Sequence, residues 1–335
     1  METKITEPQS PRSENSDSET TFRSEIIKLL KEKKKLSEIS IEVYLRNLKK
    51  LNADKVLENF DFLSNKDQVN EKLEKFKDTT KRNYLISIVS ILSLYPEHKE
   101  LHDVYHNLMM QKKSEILEKE STGERSETQE ENWIDWNSVK AEHKTLGDKV
   151  NIFYKKKTIS PEDFLVLTAY TILSLYVLIP PRRNKDYCLM RVVNNFTPEL
   201  DTNFNYFDVA KSKFIFNNYK TSKKYGRYDL AVPATLLRVI NKYQKHRMTK
   251  FPVDDNDNKH LLIKPDGSSI EKSNDITKVL NKVFGKQIGS SMLRHIFLTD
   301  KYSTIFKTAK IDAETMGHST SEQKRYIKEK LTVAL

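Results

Sequence analysis

Two stretches near the C-terminus hold the side chains with the most chemistry in them, SSMLRHIFLTD at 290–300 and ETMGHSTSEQKRYIKEK at 314–330. Ser290 or Ser291 can cap a helix that carries Arg294 one turn in, where a guanidinium and free helix N–H groups would both address a phosphate. Gly317 breaks the chain before His318. Ser319 and Glu322 then have the S-x-x-E form of a capping box, opening a helix whose exposed face holds Tyr326. Taken singly, each has a structural explanation: a helix-end hydrogen bond for His318, an ion pair for Arg294, an interface for Tyr326.

Upstream lies a denser cationic region. Residues 211–250 contain eleven Lys or Arg and one acid, Asp229, interleaved with Phe214, Phe216, Tyr219, Tyr225 and Tyr228. Solvation alone does not call for such density, whereas a polyanion does, because cations that neutralise phosphates release condensed counterions.

These groups need elements to position them. Residues 213–219 (KFIFNNY) and 228–232 (YDLAV) are short, aromatic and β-branched, and the polar turn KTSKKYG between them makes a β-hairpin. Helical patterns follow at Leu236, Leu237, Ile240 and Tyr243, and at Ile276, Val279, Leu280 and Val283, then two or three short helices run to the end. Before the hairpin, FLVLTAYTILSLYVLI at 164–179 is closed by Pro180-Pro181-Arg182-Arg183. A membrane span needs roughly 20 apolar residues, so this shorter stretch reads as a buried core helix.

The first half is all-helical in pattern. Ile41, Tyr44, Leu45, Leu48 and Leu51 share one helix face after the cap candidates Ser37 and Ser40, and Tyr84, Ile88, Ile91, Leu92 and Tyr95 share another that Pro96 stops. Lys49, Lys50, Lys81 and Arg82 lie near the ends of these helices, where phosphates could be met. Residues 118–131 carry six acids, two cations and no large apolar side chain, which is a linker composition. Trp133 and Trp136 follow and are expected to anchor the next domain by burying aromatic area. The organisation expected is a disordered Ser/Thr/Glu/Pro-rich tail over 1–24, a helical domain over 25–116, an acidic linker over 117–131 and a second domain over 132–335. The fold class expected is mainly α with a small antiparallel β-sheet.

Composition bounds the function. The chain has 335 residues, 58 Lys+Arg against 47 Asp+Glu and a formal charge of +11, so its partner is expected to be anionic. One cysteine, Cys188, rules out an internal disulfide and a thiolate zinc site and fits a reducing, intracellular compartment. The first twenty residues have no apolar run, so no secretory signal is expected.

In order and type, PPRRNKD, the hairpin lysine, LRH, MGH and the C-terminal tyrosine together resemble the tyrosine recombinase (phage integrase) family. The resemblance covers most of the chain, because SIEVYLRNLKKL and TTKRNYLISIVSIL look like that family's helical core-binding domain, N-terminal to a mixed α+β catalytic domain. PPRRNKDY and ENWIDW look more like recombinases of eukaryotic mobile elements and large viruses, which implies a nuclear location in a eukaryotic host. The family's first arginine precedes an acid by three residues, which selects Arg183 with Asp186, Arg182 being a close competitor. Its hairpin lysine matches Lys220, with Lys223 and Lys224 as alternatives. Arg294 matches the second arginine, His318 the histidine and Tyr326 the nucleophile. Two departures stand out: Ser291 occupies a position where the family usually has histidine, and the interval from His318 to Tyr326 is one residue short.

What the resemblance implies is site-specific recombination or integration of double-stranded DNA through a 3′-phosphotyrosine intermediate, without a cofactor or metal, by protomers that self-associate on DNA and have no membrane partner. Lys49, Lys81, Arg82, Arg182, Lys223, Lys224 and Arg227 are the expected DNA contacts. Two alternatives stay open, a topoisomerase of the IB type and a non-cleaving DNA-binding protein derived from a recombinase. The physical chemistry agrees with the roles. Two arginines can clamp the non-bridging oxygens of an attacked phosphodiester, and tyrosine, which ordinarily ionises near about pH 10, becomes a useful nucleophile among cations. Lys220 would protonate the departing 5′-oxygen, and His318 would hydrogen-bond the phosphate or assist proton transfer.

Overall fold

The computed structural model describes residues 15–251 and 259–328. It is mainly helical with one small sheet, and the chain divides into two compact units between Glu124 and Arg125.

The first unit contains α1 (Asn15–Lys34), α2 (Glu38–Leu51), α3 (Lys66–Glu74), α4 (Asp78–Leu92) and α5 (Lys99–Ser121). Ser37 caps α2 by accepting from the Ser40 amide, and the α2 stripe of Ile41, Leu45, Leu48 and Leu51 is buried. Within this core Asn47 donates to Ser87 Oγ at 2.9 Å, joining α2 to α4, and Tyr105 of α5 donates to the Leu63 carbonyl at 2.7 Å. The expected disordered tail is corrected in part. Helix α1 already begins at Asn15, and Phe22 packs on Phe60 with ring centroids 5.1 Å apart. The polar composition of 15–24 conceals that single anchoring ring; residues 1–14 lie outside the described residues.

The expected acidic linker is corrected too. Helix α5 runs on to Ser121, and α6 (Glu127–Asn132) opens on a complete capping box between Ser126 and Gln129. Arg125 stacks over Trp133 at 3.9 Å, and the Gln287 amide donates to Asn132 Oδ1 at 2.7 Å, so 125–132 is part of the second unit. A polar, acidic sequence folds here because caps and carbonyl contacts, rather than apolar area, hold it.

The second unit continues with α7 (Trp136–Phe153) and α8 (Pro161–Val177). Trp136 is buried and meets Phe297 edge-on, as its position after the linker suggested. Helix α8 is buried nearly all round because α7, α10 (Ala234–Lys250) and α11 (Ser273–Phe284) pack on it. Its buried Thr168, Thr171 and Ser174 hydroxyls each donate to the carbonyl four residues back, so none goes unmet. Among the described residues no helix is long and apolar enough to cross a membrane.

The sheet is mixed, not purely antiparallel. Its order is β1 (Arg191–Val193), β2 (Tyr206–Asp208), β3 (Lys213–Phe216), β4 (Tyr228–Ala231), with β1 and β2 parallel and the other pairs antiparallel. The β3–β4 hairpin is the one foreseen, with Phe216 opposite Tyr228 and a helical turn, α9 (Ser222–Tyr225), in its connection. Strands of three residues such as β1 and β2 are too short to show a period of two, so only their pairing reveals them.

After α11 the chain does not break into several short helices. One helix, α12 (Ser290–Thr315), runs for 26 residues, and only α13 (Thr320–Tyr326) is short. Residues 299–315 contain neither Gly nor Pro, so nothing in them stops a helix once begun. Gly317, at φ +73°, makes the stop, and Ser319 caps α13 by accepting from the Glu322 amide. The cap expected of Ser290 or Ser291 is not there: Gly289 is the cap residue and no side chain bonds the first amides.

Two results are expected from this unit. Asn184 accepts from Tyr176 at 2.6 Å and donates to the Ser273 carbonyl and Thr277 Oγ1, all at a buried junction of α8 with α11. Asn184→Ala strands the Tyr176 hydroxyl and is expected to destabilise by about 1–3 kcal/mol in a denaturant titration. The second result concerns pH. Burial holds His143, His246 and His260 below the ordinary histidine value, so each is kept neutral. As pH falls the unfolded chain takes up protons first, so this contribution to stability is complete above about pH 6.5 and is lost progressively below it. Thermal midpoints should fall on going from pH 7 to pH 5. His143→Phe, which can keep the stacking on Tyr170, should flatten that slope.

Candidate functional site

Between α8 and β1 the chain passes through Pro180-Pro181-Arg182-Arg183, where the prolines end the helix and the two arginines take different tasks. Arg182 is tied down. Its Nε donates to Asp186 Oδ2 at 2.9 Å, and its guanidinium lies 3.7 Å from the Phe216 ring centroid, with the Tyr219 and Tyr228 rings at 5.5 Å. An arginine held by a carboxylate and three rings is a fixture of the hairpin, which explains the aromatic interleaving of that strand pair.

Arg183 is half-buried, and its guanidinium has no hydrogen bond or ion pair among the described residues. Arg294, in the second turn of α12, is its neighbour: burial first, and then the Arg183 charge, hold Arg294 below the usual guanidinium value. Asp186, 2% exposed, feels the charge of both. Burial raises its pKa against the pull of Arg182 first, then Arg183 and Arg294. Its Oδ1 has no partner, and Arg294 Nε donates instead to the Ser290 carbonyl at 3.2 Å. One deeply buried carboxylate thus answers three arginines, hydrogen-bonded to Arg182 and within electrostatic reach of Arg183 and Arg294. Three guanidiniums against one carboxylate leave an excess of positive charge that suits an anion with several oxygens.

Lys220 is exposed in the β3–β4 connection and follows Tyr219, whose ring lies 5.5 Å from the Arg182 guanidinium. Lys223 and Lys224 are exposed on α9. Arg227 is exposed but already forms a two-pronged pair with Asp229, at 2.6 and 2.7 Å, and lies over Phe196. Within the cationic stretch Arg247 is buried, 3% exposed, and so is lost to any surface.

His318 and Tyr326 are also brought together: their rings stack with centroids 5.5 Å apart at 20°. They are not brought to the arginines. Along α12, from Arg294 to Thr315, the separation is about 30 Å at the usual helical rise. The five catalytic candidates therefore do not form one group: Arg183 and Arg294 act on each other electrostatically, His318 and Tyr326 stack on each other, and Lys220 lies in the β3–β4 connection. The short elements expected at 290–326 would have allowed a single group; the continuous helix does not.

In the first unit Lys49 is exposed on α2 beside the exposed Arg46 and Lys50. Lys81 is corrected as a phosphate contact: it is 8% exposed and held by Glu74 at 2.6 Å and Asp78 at 3.8 Å. Acids one and two turns back along the chain reach a cation at the start of α4, which a count of charges near helix ends does not reveal. Arg82 is half-buried with its Nε unpartnered. Sequence reasoning also missed Asn184 and the ring cage of Arg182; alternate aromatics in the hairpin were the available signal for the cage.

Set against protein-family models, curated proteins and solved structures, the chain finds no match.

Proposed function

We propose that the chain is a DNA strand transferase of the tyrosine-recombinase kind, acting on duplex DNA through a covalent tyrosyl phosphodiester. The observation that carries this reading is the uncompensated pair Arg183 and Arg294 beside buried Asp186. A scissile phosphate seated there would have its non-bridging oxygens held by two groups that stay charged at any working pH. The Tyr326 hydroxyl forms the new O–P bond as the P–O5′ bond breaks. The phenolic proton passes to the surroundings, with His318 stacked on the same ring. The departing 5′-oxygen takes its proton from an ammonium, for which Lys220 is the candidate and Lys223 and Lys224 the alternatives. Rejoining is the reverse, with a 5′-hydroxyl from another strand as nucleophile. The exposed cations of α2 and of the hairpin turn supply sequence-independent backbone contacts.

The test is covalent trapping. A randomised pool of nicked duplexes is incubated with the protein in excess EDTA, and SDS-resistant protein–DNA species are isolated and their peptides mapped. Adducts at Tyr326 are expected to form in EDTA, because fixed cations rather than a metal would neutralise the phosphate; strict dependence on Mg²⁺ would point to another nuclease chemistry. The distance between the two groups of residues favours a second reading, a DNA-binding protein that no longer cleaves. Under that reading the same pool is bound, with log affinity falling linearly against log salt, and nothing is trapped.

A further inference from the structure

Helix α12 is two different helices end to end. Its first turns are core: Met292, Leu293 and Ile296 are buried and Phe297 packs on Trp136. Beyond them Leu298 is 50% exposed, Ile305 61%, Phe306 66% and Met316 60%, and of the distal half only Ala313 is buried. Leu298, Ile305 and Met316 share one stripe of the helix, while Phe306 and Ile311, 62% exposed, lie off it. Leu298, Tyr302, Ile305, Ala309, Asp312 and Met316 recur at alternating steps of four and three, the seam of a helix that pairs with another helix.

We infer that this seam pairs antiparallel with the same seam of a second copy of the chain. The sequence of the seam is complementary to its own reverse about a two-fold axis near residue 307. Leu298 then opposes Met316 of the second copy. Ile305, large, opposes Ala309, small. The Tyr302 phenol faces the Asp312 carboxylate, which has no ion pair among the described residues, and Lys301 flanks the same carboxylate. Each match is made twice, as a two-fold interface requires. Parallel pairing would instead set Asp312 against Asp312 and Tyr302 against Tyr302 inside the seam, which like charge disfavours. From residue 298 to 316 the seam spans about 27 Å, so the interface is small and the affinity expected is micromolar.

The pairing has one consequence that rests on the proposed function. With Met316 of the second copy beside Leu298, the helix end that carries that copy's His318 and Tyr326 starts one turn from Arg294. The two groups of residues that a single chain keeps apart would meet across the two copies.

The pairing is tested without DNA. Sedimentation velocity of the full chain over a concentration series should show a monomer–dimer equilibrium, and Ile305→Lys, at an exposed position that cannot disturb the core, should weaken it at least tenfold. Direction is read by mixing Ile305→Cys with Ala309→Cys, both in a Cys188→Ser background, under mild oxidation: the mixed disulfide should exceed either homodisulfide. A monomer at every concentration, or a 305–305 disulfide in excess, overturns the inference. Delivery of Tyr326 is read by mixing Tyr326→Phe with Arg294→Ala, each inactive alone. Restored adducts on the Arg294→Ala chain support it. Adducts with the unmutated protein but none with the mixture overturn it. No adduct even with the unmutated protein overturns the cleavage reading instead, and the pairing then stands or falls on sedimentation and disulfides.

Discussion

Tyr326→Phe is expected to abolish covalent protein–DNA adducts while leaving the thermal midpoint and DNA affinity where they were. The change deletes one oxygen from a side chain that is 70% exposed and whose hydroxyl makes no hydrogen bond among the described residues. The stacking on His318 is a property of the ring, which phenylalanine keeps. Nothing in the fold therefore depends on the hydroxyl, and any loss can be assigned to chemistry. Without a phenol no O–P bond can form, so the expected loss is complete rather than partial. The measurement is the yield of SDS-resistant adducts beside a melting curve and a binding isotherm for the same preparation. Adducts at the unmutated rate would remove Tyr326 as nucleophile. Tyr302, on the α12 seam, and Tyr225, exposed on α9, would then be the hydroxyls to test.

What the sequence disclosed and what it withheld divide along physical lines. Helices with a clean apolar stripe were legible: α2 buries Ile41, Leu45, Leu48 and Leu51 with Tyr44 half-buried, α4 buries Tyr84, Ile88, Ile91 and Leu92 but ends before the buried Tyr95, and α8 is the core helix its apolar run announces. So was the hairpin, because β3 and β4 alternate aromatics around a polar turn. Strands β1 and β2 were not, since three residues held mainly by pairing leave no pattern of their own. The length of α12 was misread for the opposite reason: exposed apolar residues in its distal half look like the cores of several short helices, although no Gly or Pro separates them. That error decided the site. A short-helix reading lets Arg294, His318 and Tyr326 share one pocket, whereas the continuous helix splits them. Spacing identified residues of the right types, and only the geometry distinguished Arg182, caged by Asp186 and rings, from Arg183, whose guanidinium has no hydrogen bond or ion pair among the described residues. Lys81 shows the same limit, because a cation near a helix end is free only if no acid folds back onto it.

The separation of Arg182 from Arg183 leads to the second large effect. Arg183→Ala and Arg294→Ala are each expected to slow adduct formation by roughly 10²–10³, about 2.7–4 kcal/mol of barrier, the usual loss when one preorganised donor is removed from developing charge. Binding should change far less, because most phosphate contacts lie elsewhere and a single surface cation adds little to a long interface. Stability should change little for Arg183→Ala, since the guanidinium has no hydrogen bond or ion pair among the described residues and the attraction to Asp186 that is lost is offset by the repulsion of Arg294 that is relieved. Removing it even relieves repulsion on Arg294, whose pKa burial first and then that charge depress. Arg182→Ala is the internal control. It strips the one hydrogen-bonded partner among the described residues from a carboxylate that is 2% exposed and empties the stack on Phe216, so it should cost roughly 1–3 kcal/mol of stability before any effect on chemistry is considered. The three variants are therefore distinguished by paired melting curves and single-turnover adduct rates. If Arg182→Ala is stable but inactive while Arg183→Ala is nearly normal, the phosphate-facing arginine is Arg182 and the ring cage is its holder. If rate and affinity fall together in Arg294→Ala, that residue anchors the backbone and does not stabilise the transition state. A selective fall in rate, with affinity kept and Arg183→Ala as stable as the parent, is the outcome that two uncompensated guanidiniums beside one buried carboxylate require.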